Sequence, residues 1–173
     1  MNKINTPPYS TFPTVSNEKI LLRQIQNSDI NDLIEISYYD AIQATTLEQA
    51  IEMNSKINAD YDKGDSIHWG IIDNQSNKIV GTCGFYRGFN KDEGELGCVL
   101  LPQYRGQGFM TSAMLLAIDF GLNDIGLKRI MAITSQQNQK AIRLLERVGF
   151  IQIKFLTDND NDIEFELPSK TKQ

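Results

Sequence analysis

The sequence predicts an α/β fold of the α+β kind. It is a single domain whose mixed, mostly antiparallel central sheet carries helices on both faces. Three observations lead there. Strand-like and helix-like stretches follow one another from residue 18 in the order β-α-α-β-β-β-α-β-α-β-β. The turn-forming cluster Asp73-Asn74-Gln75-Ser76-Asn77 lies between two apolar strand-like runs and marks a hairpin, hence antiparallel pairing. Two later strand–turn–helix units require helices packed against the sheet. A chain of 173 residues suits one domain with a proper core.

Residues 1–17 carry Pro7, Pro8 and Pro13 among small polar residues and read as a loosely packed arm without helix or regular strand. Glu18 to Gln24 reads as the first strand. Asn27-Ser28-Asp29 offers capping side chains for a helix from about Ile30 to Tyr38. Thr45-Thr46 followed by Glu48 opens a second helix, which Gly64 ends. Ile67 to Asp73 and Lys78 to Arg87 form the hairpin, and Gly81 and Gly84 within it suggest a bulge or a close backbone approach. Glu95 to Leu101 is the central strand, and the helix after it, Gly108 to Leu122, is apolar on nearly every side and therefore mostly buried. Arg129 to Thr134 is a strand, and Asn138 to Val148 a helix stopped by Gly149. Phe150 to Phe155 and Ile163 to Leu167 close the sheet around the polar turn TDNDND, and residues 169–173 form a polar tail.

Composition excludes several function classes. No apolar run approaches the ~20 residues of a membrane span, and the N-terminus lacks a signal-peptide core. A net charge of −5 argues against a nucleic-acid surface. Cys83 and Cys98 both fall within strands and read as buried thiols rather than a bridge, so a cytoplasmic protein is expected. His68 is the only histidine and reads as a packed or surface residue; a pairing with Cys83 or Cys98 is not required by the spacing. No ligand cluster supports a metal. Trp69, Phe85, Tyr86 and Phe89 are expected in the core or along a substrate groove.

The chain is organised around Glu95 to Met114. Pro102 stops regular pairing, and Gly106 and Gly108 permit positive φ or close approach of a ligand. The following helix begins with free N–H groups and the positive end of its dipole, which makes an anion cradle. Arg105 adds a charge able to hold a phosphate with two hydrogen bonds. The dinucleotide fingerprint is missed at Thr111 and lacks its acidic residue at the end of the next strand, and the P-loop Gly-Lys-Ser/Thr is absent.

Gln103-Tyr104-Arg105-Gly106-Gln107-Gly108 resembles the Q/R-x-x-G-x-G/A loop of the GNAT superfamily of N-acetyltransferases. Asn138 to Phe150 resembles the N-x-x-S/A-x-x-x-x-x-x-x-G-F segment of the same fold, and the element order matches from about residue 18. Within the superfamily the chain is most similar to the RimJ/RimL-type ribosomal-protein N-terminal acetyltransferases, including Arg23 ahead of Asp29. The resemblance implies acetyl-CoA as co-substrate, no metal, and transfer to a primary amine such as a protein or peptide N-terminus by direct attack in a ternary complex. It places pyrophosphate on the amides around Gln103, Arg105, Gly106, Gln107, Gly108, Phe109 and Met110, and the pantetheine arm on the strand edge at Cys98, Val99 and Leu100 and on Asn138. Alternatives are a small amine acceptor (polyamine, amino sugar or amino acid) and a coenzyme A-binding module with little turnover. Monomer and homodimer are both compatible.

Glu95 is the candidate general base, with a solvated strand-end charge as the competing reading. The usual proton donors of the family are missing: Leu145 stands where many members have Tyr, and Ala141 where the ribosomal-protein branch often has Ser. Ser135, Tyr104 or a water is left as substitute, or the thiolate leaves without specific protonation. Two early helices and the hairpin loops are expected to shape the acceptor groove.

Overall fold

A computed structural model describes residues 3–156 and 161–168. Most of the expected TDNDND turn, and all of the tail 169–173, lie outside these residues. Ten strands and four α-helices are described: β1 (Val15–Ser16), β2 (Ile20–Gln24), α1 (Ile30–Leu33), β3 (Tyr38–Tyr39), β4 (Ile42–Gln43), α2 (Leu47–Asp62), β5 (Ile67–Asp73), β6 (Ile79–Tyr86), β7 (Glu93–Leu100), α3 (Phe109–Phe120), β8 (Arg129–Ser135), α4 (Gln139–Val148), β9 (Ile151–Phe155) and β10 (Asp162–Leu167). Eight strands make one sheet in the order β1-β2-β5-β6-β7-β8-β10-β9, antiparallel throughout except for the β7–β8 pair. The expected order of elements holds once three short strands, β1, β3 and β4, are added.

Those additions correct the sequence reading in two places. The arm is not loose and not without a strand. Val15–Ser16 pairs with Leu22 and Leu21, and the Trp69 indole donates to the Pro13 carbonyl at 2.9 Å. Tyr9 meets Phe120 edge-on at 6.0 Å, and Phe12 lies 4.9 Å from the Tyr61 ring. The aromatic residues between the prolines supply apolar area that outweighs the cost of ordering the arm. The first helix is also shorter than expected: one α turn flanked by 3₁₀ turns at Asn27–Asp29 and Ile34–Ile36. After it the chain turns through a hairpin, with Asp40 and Ala41 both at positive φ. Such a turn normally announces itself with Gly or Asn, and here it does not.

Helices cover both faces, as expected. α3 and α4 pack on one face: Ala113, Met114, Ala117 and Leu145 share a core with Trp69, Phe85, Ile130 and Phe165. α1 and α2 cover the other face over β5 and β6, held by Ile30, Ala50 and Ala44. Thr46 caps α2 by accepting the Gln49 N–H at 3.2 Å. The last turn of α3 widens, so that the Gly126 N–H reaches back five residues to Gly121. A Cβ at Gly121 would lie 2.7 Å from Phe85 Cζ, so glycine lets the helix approach the sheet here.

Candidate active site

The two strands on which the site rests part company half-way. β7 and β8 pair only at Glu93–Arg129, Gly94–Ile130 and Glu95–Met131. Beyond that point β7 stays with β6 as far as Leu100, while β8 continues beside β10 to Ser135. A wedge opens between them. Leu101 N–H donates to the Val80 carbonyl at 2.9 Å. An antiparallel ladder alternates, so Val99 and Gly97 also face β6, and the backbone groups of Cys98 and Leu100 turn into the wedge.

The glycine loop stands at the end of this wedge. Pro102–Tyr104 forms a single 3₁₀ turn, Gly106 and Gly108 adopt φ of 75° and 83°, and α3 begins at Phe109 with no side-chain cap. Its first amides, including those of Phe109 and Met110, are the ready donors of an anion cradle. Nothing lies within 4 Å of a Cβ placed on Gly106. Arg105 reaches back to the Leu100 carbonyl at 3.4 Å, and Gln107 donates to the Gln103 carbonyl at 3.1 Å, which braces the turn. Lys19, the residue before β2, lies 4.6 Å over the Phe109 ring and is the nearest side chain to a Cβ on Gly108. It adds a second cation that sequence spacing had no means of revealing, because it enters from a distant strand.

Across the wedge, Asn138 caps α4: its Oδ1 accepts the Ala141 N–H at 3.1 Å. Ser135, at the end of β8, receives the Gln137 N–H at 3.3 Å and holds the turn into α4. Leu145 is buried in the core on the α3 side, and no proton donor stands in its place.

The other face of β6 and β7 carries a cavity of about 660 Å³, bounded by α1, α2 and the β3–β4 hairpin. The early helices and a hairpin thus bound a groove on this face. Val99, Gly97, Tyr86, His68 and Ser66 form its sheet side, and Asp40, Asp60 and Asp65 contribute acidic groups. His68 does not pair with a cysteine. Its Nδ1 lies 2.7 Å from the Tyr86 hydroxyl, and burial lowers its pKa to about 4. Burial, reinforced by the nearby Cys83, Cys98 and Glu95, pushes the Tyr86 hydroxyl well above its usual range. The two thiols touch one another at 2.7 Å on the opposite, α3-covered face, where Cys83 Sγ lies 4.0 Å from the Ala113 carbonyl. Burial and that contact raise the Cys98 pKa.

A family model, "Acetyltransferase (GNAT) domain", matches residues 19–151. The chain belongs to the GNAT acetyltransferase family. Among curated relatives, the uncharacterised N-acetyltransferase YoaA of Bacillus subtilis (strain 168) is 29% identical over 147 residues, covering 80% of this chain and 83% of that protein. A Vibrio cholerae structure provisionally named a ribosomal-protein-serine acetyltransferase superposes with TM-score 0.78 at 18% identity, covering 94% of this chain and 99% of the other. The dodecameric spermidine N-acetyltransferase of Vibrio cholerae gives TM-score 0.69 at 18% identity, covering 87% and 93%. The chain is accordingly an acetyl-CoA-dependent N-acyltransferase.

The residues present fit the co-substrate such an enzyme uses. The uncapped start of α3, Lys19 and Arg105 suit a diphosphate, and the wedge-facing groups of Cys98 and Leu100 suit an amide-bearing arm. Glu95 is half-buried, and its carboxylate lies 3.5 Å from Arg87. Burial raises its pKa, and Arg87 opposes that rise. Among the described residues no cluster of His, Cys, Asp or Glu could hold a metal, and no helix is long and apolar enough to cross a membrane.

Proposed function

We propose that the enzyme moves an acetyl group from acetyl-CoA, lying along the wedge with its pyrophosphate at Arg105 to Met110, to a protein or peptide N-terminal α-amine that enters from the cavity. The wedge itself carries this reading: it opens one edge of β7 toward the glycine loop, and the same strand faces the cavity through Gly97 and Val99. The thioester carbonyl would then lie beside the Cys98 and Leu100 backbone, where an amide can polarise it. Asn138, whose Oδ1 serves as a cap, would contribute its amide N–H groups to the arm.

The state of Glu95 favours an α-amine. Even raised by burial, a carboxylate with Arg87 at 3.5 Å stays far less basic than a Lys-type amine and is a weak base toward it. Freeing a Lys-type amine at pH 7 costs roughly 4–5 kcal/mol, an α-amine only about 1. A weak base suffices for the second. Ser135 is left as a donor for the departing sulfur, at the β8 side of the wedge.

One observation supports a second reading. Asp40, Asp60 and Asp65 around the cavity would suit a polyamine, whose remaining charges need partners. Fold likeness does not separate the two, since the neighbours above are named for both acceptor classes. Incubating the chain and acetyl-CoA with free-N-terminal peptides and with spermidine, then locating the acetyl group by mass spectrometry, decides between them. Acetyl on peptide α-amines supports the first reading; acetylated spermidine alone replaces it with the second. Cytoplasmic residence and a monomer or homodimer belong to the same proposal.

A further inference from the structure

Family resemblance offers Glu95 as a base for the acceptor amine but assigns no group that holds the amine in place. The cavity supplies one from another part of the chain. Tyr86 and His68 are 18 residues apart, but the antiparallel β5–β6 register pairs His68 with Gly84, so Tyr86 falls two residues further along the same face. Gly84 has no side chain to separate them, and Tyr86 Oη reaches His68 Nδ1 at 2.7 Å. Gly97 is the second enabling glycine. A Cβ there would lie 2.9 Å from Tyr86 Cε2, so the ring lies against β7 just past the point where β8 departs. The hydroxyl therefore sits on the sheet side of the cavity, beside His68.

A further observation points to a ligand at this place. Ser66 lines the same cavity and is only 6% exposed, and its Oγ has no hydrogen-bond partner among the described residues. A buried hydroxyl without a partner is costly and calls for a polar group from outside the chain.

We infer that Tyr86 is a catalytic residue that receives an N–H of the acceptor amine, and that His68 is its positioning residue, accepting the Tyr86 O–H at Nδ1 so that the phenol oxygen keeps its lone pairs toward the cavity. This rests on the reading that the amine enters from the cavity. Holding one N–H this way orients the amine and leaves its nitrogen lone pair free to attack. The neutral imidazole suits the role, since a protonated one could not accept the Tyr86 hydrogen. Ser66 lies one turn of the strand pleat away, two residues before His68, and offers a second oxygen to the same ligand.

The test compares wild type with Tyr86→Phe, His68→Ala and His68→Asn. Acetyl-CoA affinity is read by calorimetry, and kcat/KM for the amine with free-N-terminal peptides and spermidine as probes. Tyr86→Phe and His68→Ala should each lower kcat/KM for the amine by about tenfold to a hundredfold, with acetyl-CoA affinity unchanged and each variant still unfolding cooperatively. His68→Asn places an amide oxygen near the position of Nδ1 and should restore much of the loss, which a purely structural role would not predict. Tyr86→Phe turning over like wild type, with acetyl-CoA bound normally, would overturn the inference and leave the acetyltransferase reading standing. Acetyl-CoA bound by wild type with neither probe acetylated would overturn the entry of the amine through the cavity, and this inference with it.

Discussion

An ion pair fastens the cavity wall at α1 beside its apolar contacts, and breaking it makes a quantitative test of how that wall is held. Arg23 donates to both oxygens of Asp29, at 2.7 and 3.1 Å, and Asp29 also accepts the Gln26 N–H at 2.7 Å. The pair fastens the 3₁₀ turn before α1 to β2, and Ile30 and Leu33 of α1 line the cavity. The Asp29 side chain is 11% exposed and that of Arg23 23%. Breaking a fully buried pair costs about 3–5 kcal/mol; with Arg23 still partly in water, Asp29→Ala should cost about 2–4 kcal/mol. Asp29→Asn keeps the cap on Gln26 and should cost about 1–2 kcal/mol. For Asp29→Ala, urea denaturation should show a midpoint lowered by roughly 1–2 M. A double-mutant cycle with Arg23→Gln should give a coupling of at least about 1 kcal/mol. Burial alone would raise the Asp29 pKa, but the Arg23 and Gln26 hydrogen bonds and the Arg23 charge outweigh it, so the folded value lies below the usual one. The stability this contributes is present above the unfolded pKa near ~4 and is lost as pH falls through the folded value. Wild type should therefore lose stability in acid more steeply than Asp29→Asn. A cycle with no coupling, or identical acid limbs, would refute the reasoning.

Three further outcomes are expected. Lys19→Gln should weaken acetyl-CoA binding about threefold to tenfold at low salt, with the difference shrinking as salt is added; equal affinities would remove Lys19 from the cradle. Trp69→Phe leaves the Pro13 carbonyl without its donor and should cost about 1–3 kcal/mol in urea unfolding, with earlier proteolysis of residues before Val15; an unchanged midpoint would mean the arm is held by its strand pairing and ring contacts without this bond. Gly97→Ala should displace the Tyr86 ring and lower amine kcat/KM in the same sense as Tyr86→Phe, while acetyl-CoA affinity, read by calorimetry, holds.

What the sequence made legible was local. Pro102, the paired glycines and the apolar helix after them are consecutive, and their conformations follow from residue type: Gly106 and Gly108 do take positive φ, and α3 does start uncapped. Asn138 and Gly149 bracket α4 for the same reason. The illegible parts arise from register. Nothing in the spacing of His68 and Tyr86 announces a contact, because it depends on which residue of β6 faces His68 and on two glycines leaving room. Lys19 meets Phe109 only through the sheet order. The β3–β4 hairpin escaped notice because Asp40 and Ala41 hold positive φ without glycine, and the arm because prolines masked its aromatic anchors.

The central claim, that the glycine loop holds the pyrophosphate of acetyl-CoA, is tested most directly by calorimetry of acetyl-CoA with wild type and Gly106→Asp. Gly106 has φ of 75° and open space around a Cβ. Asp tolerates that backbone region better than most residues, so the variant should fold while placing a negative charge in the cradle. Binding by wild type that is lost in a folded Gly106→Asp is the predicted result. Equal binding by both proteins, or none by wild type, would contradict it.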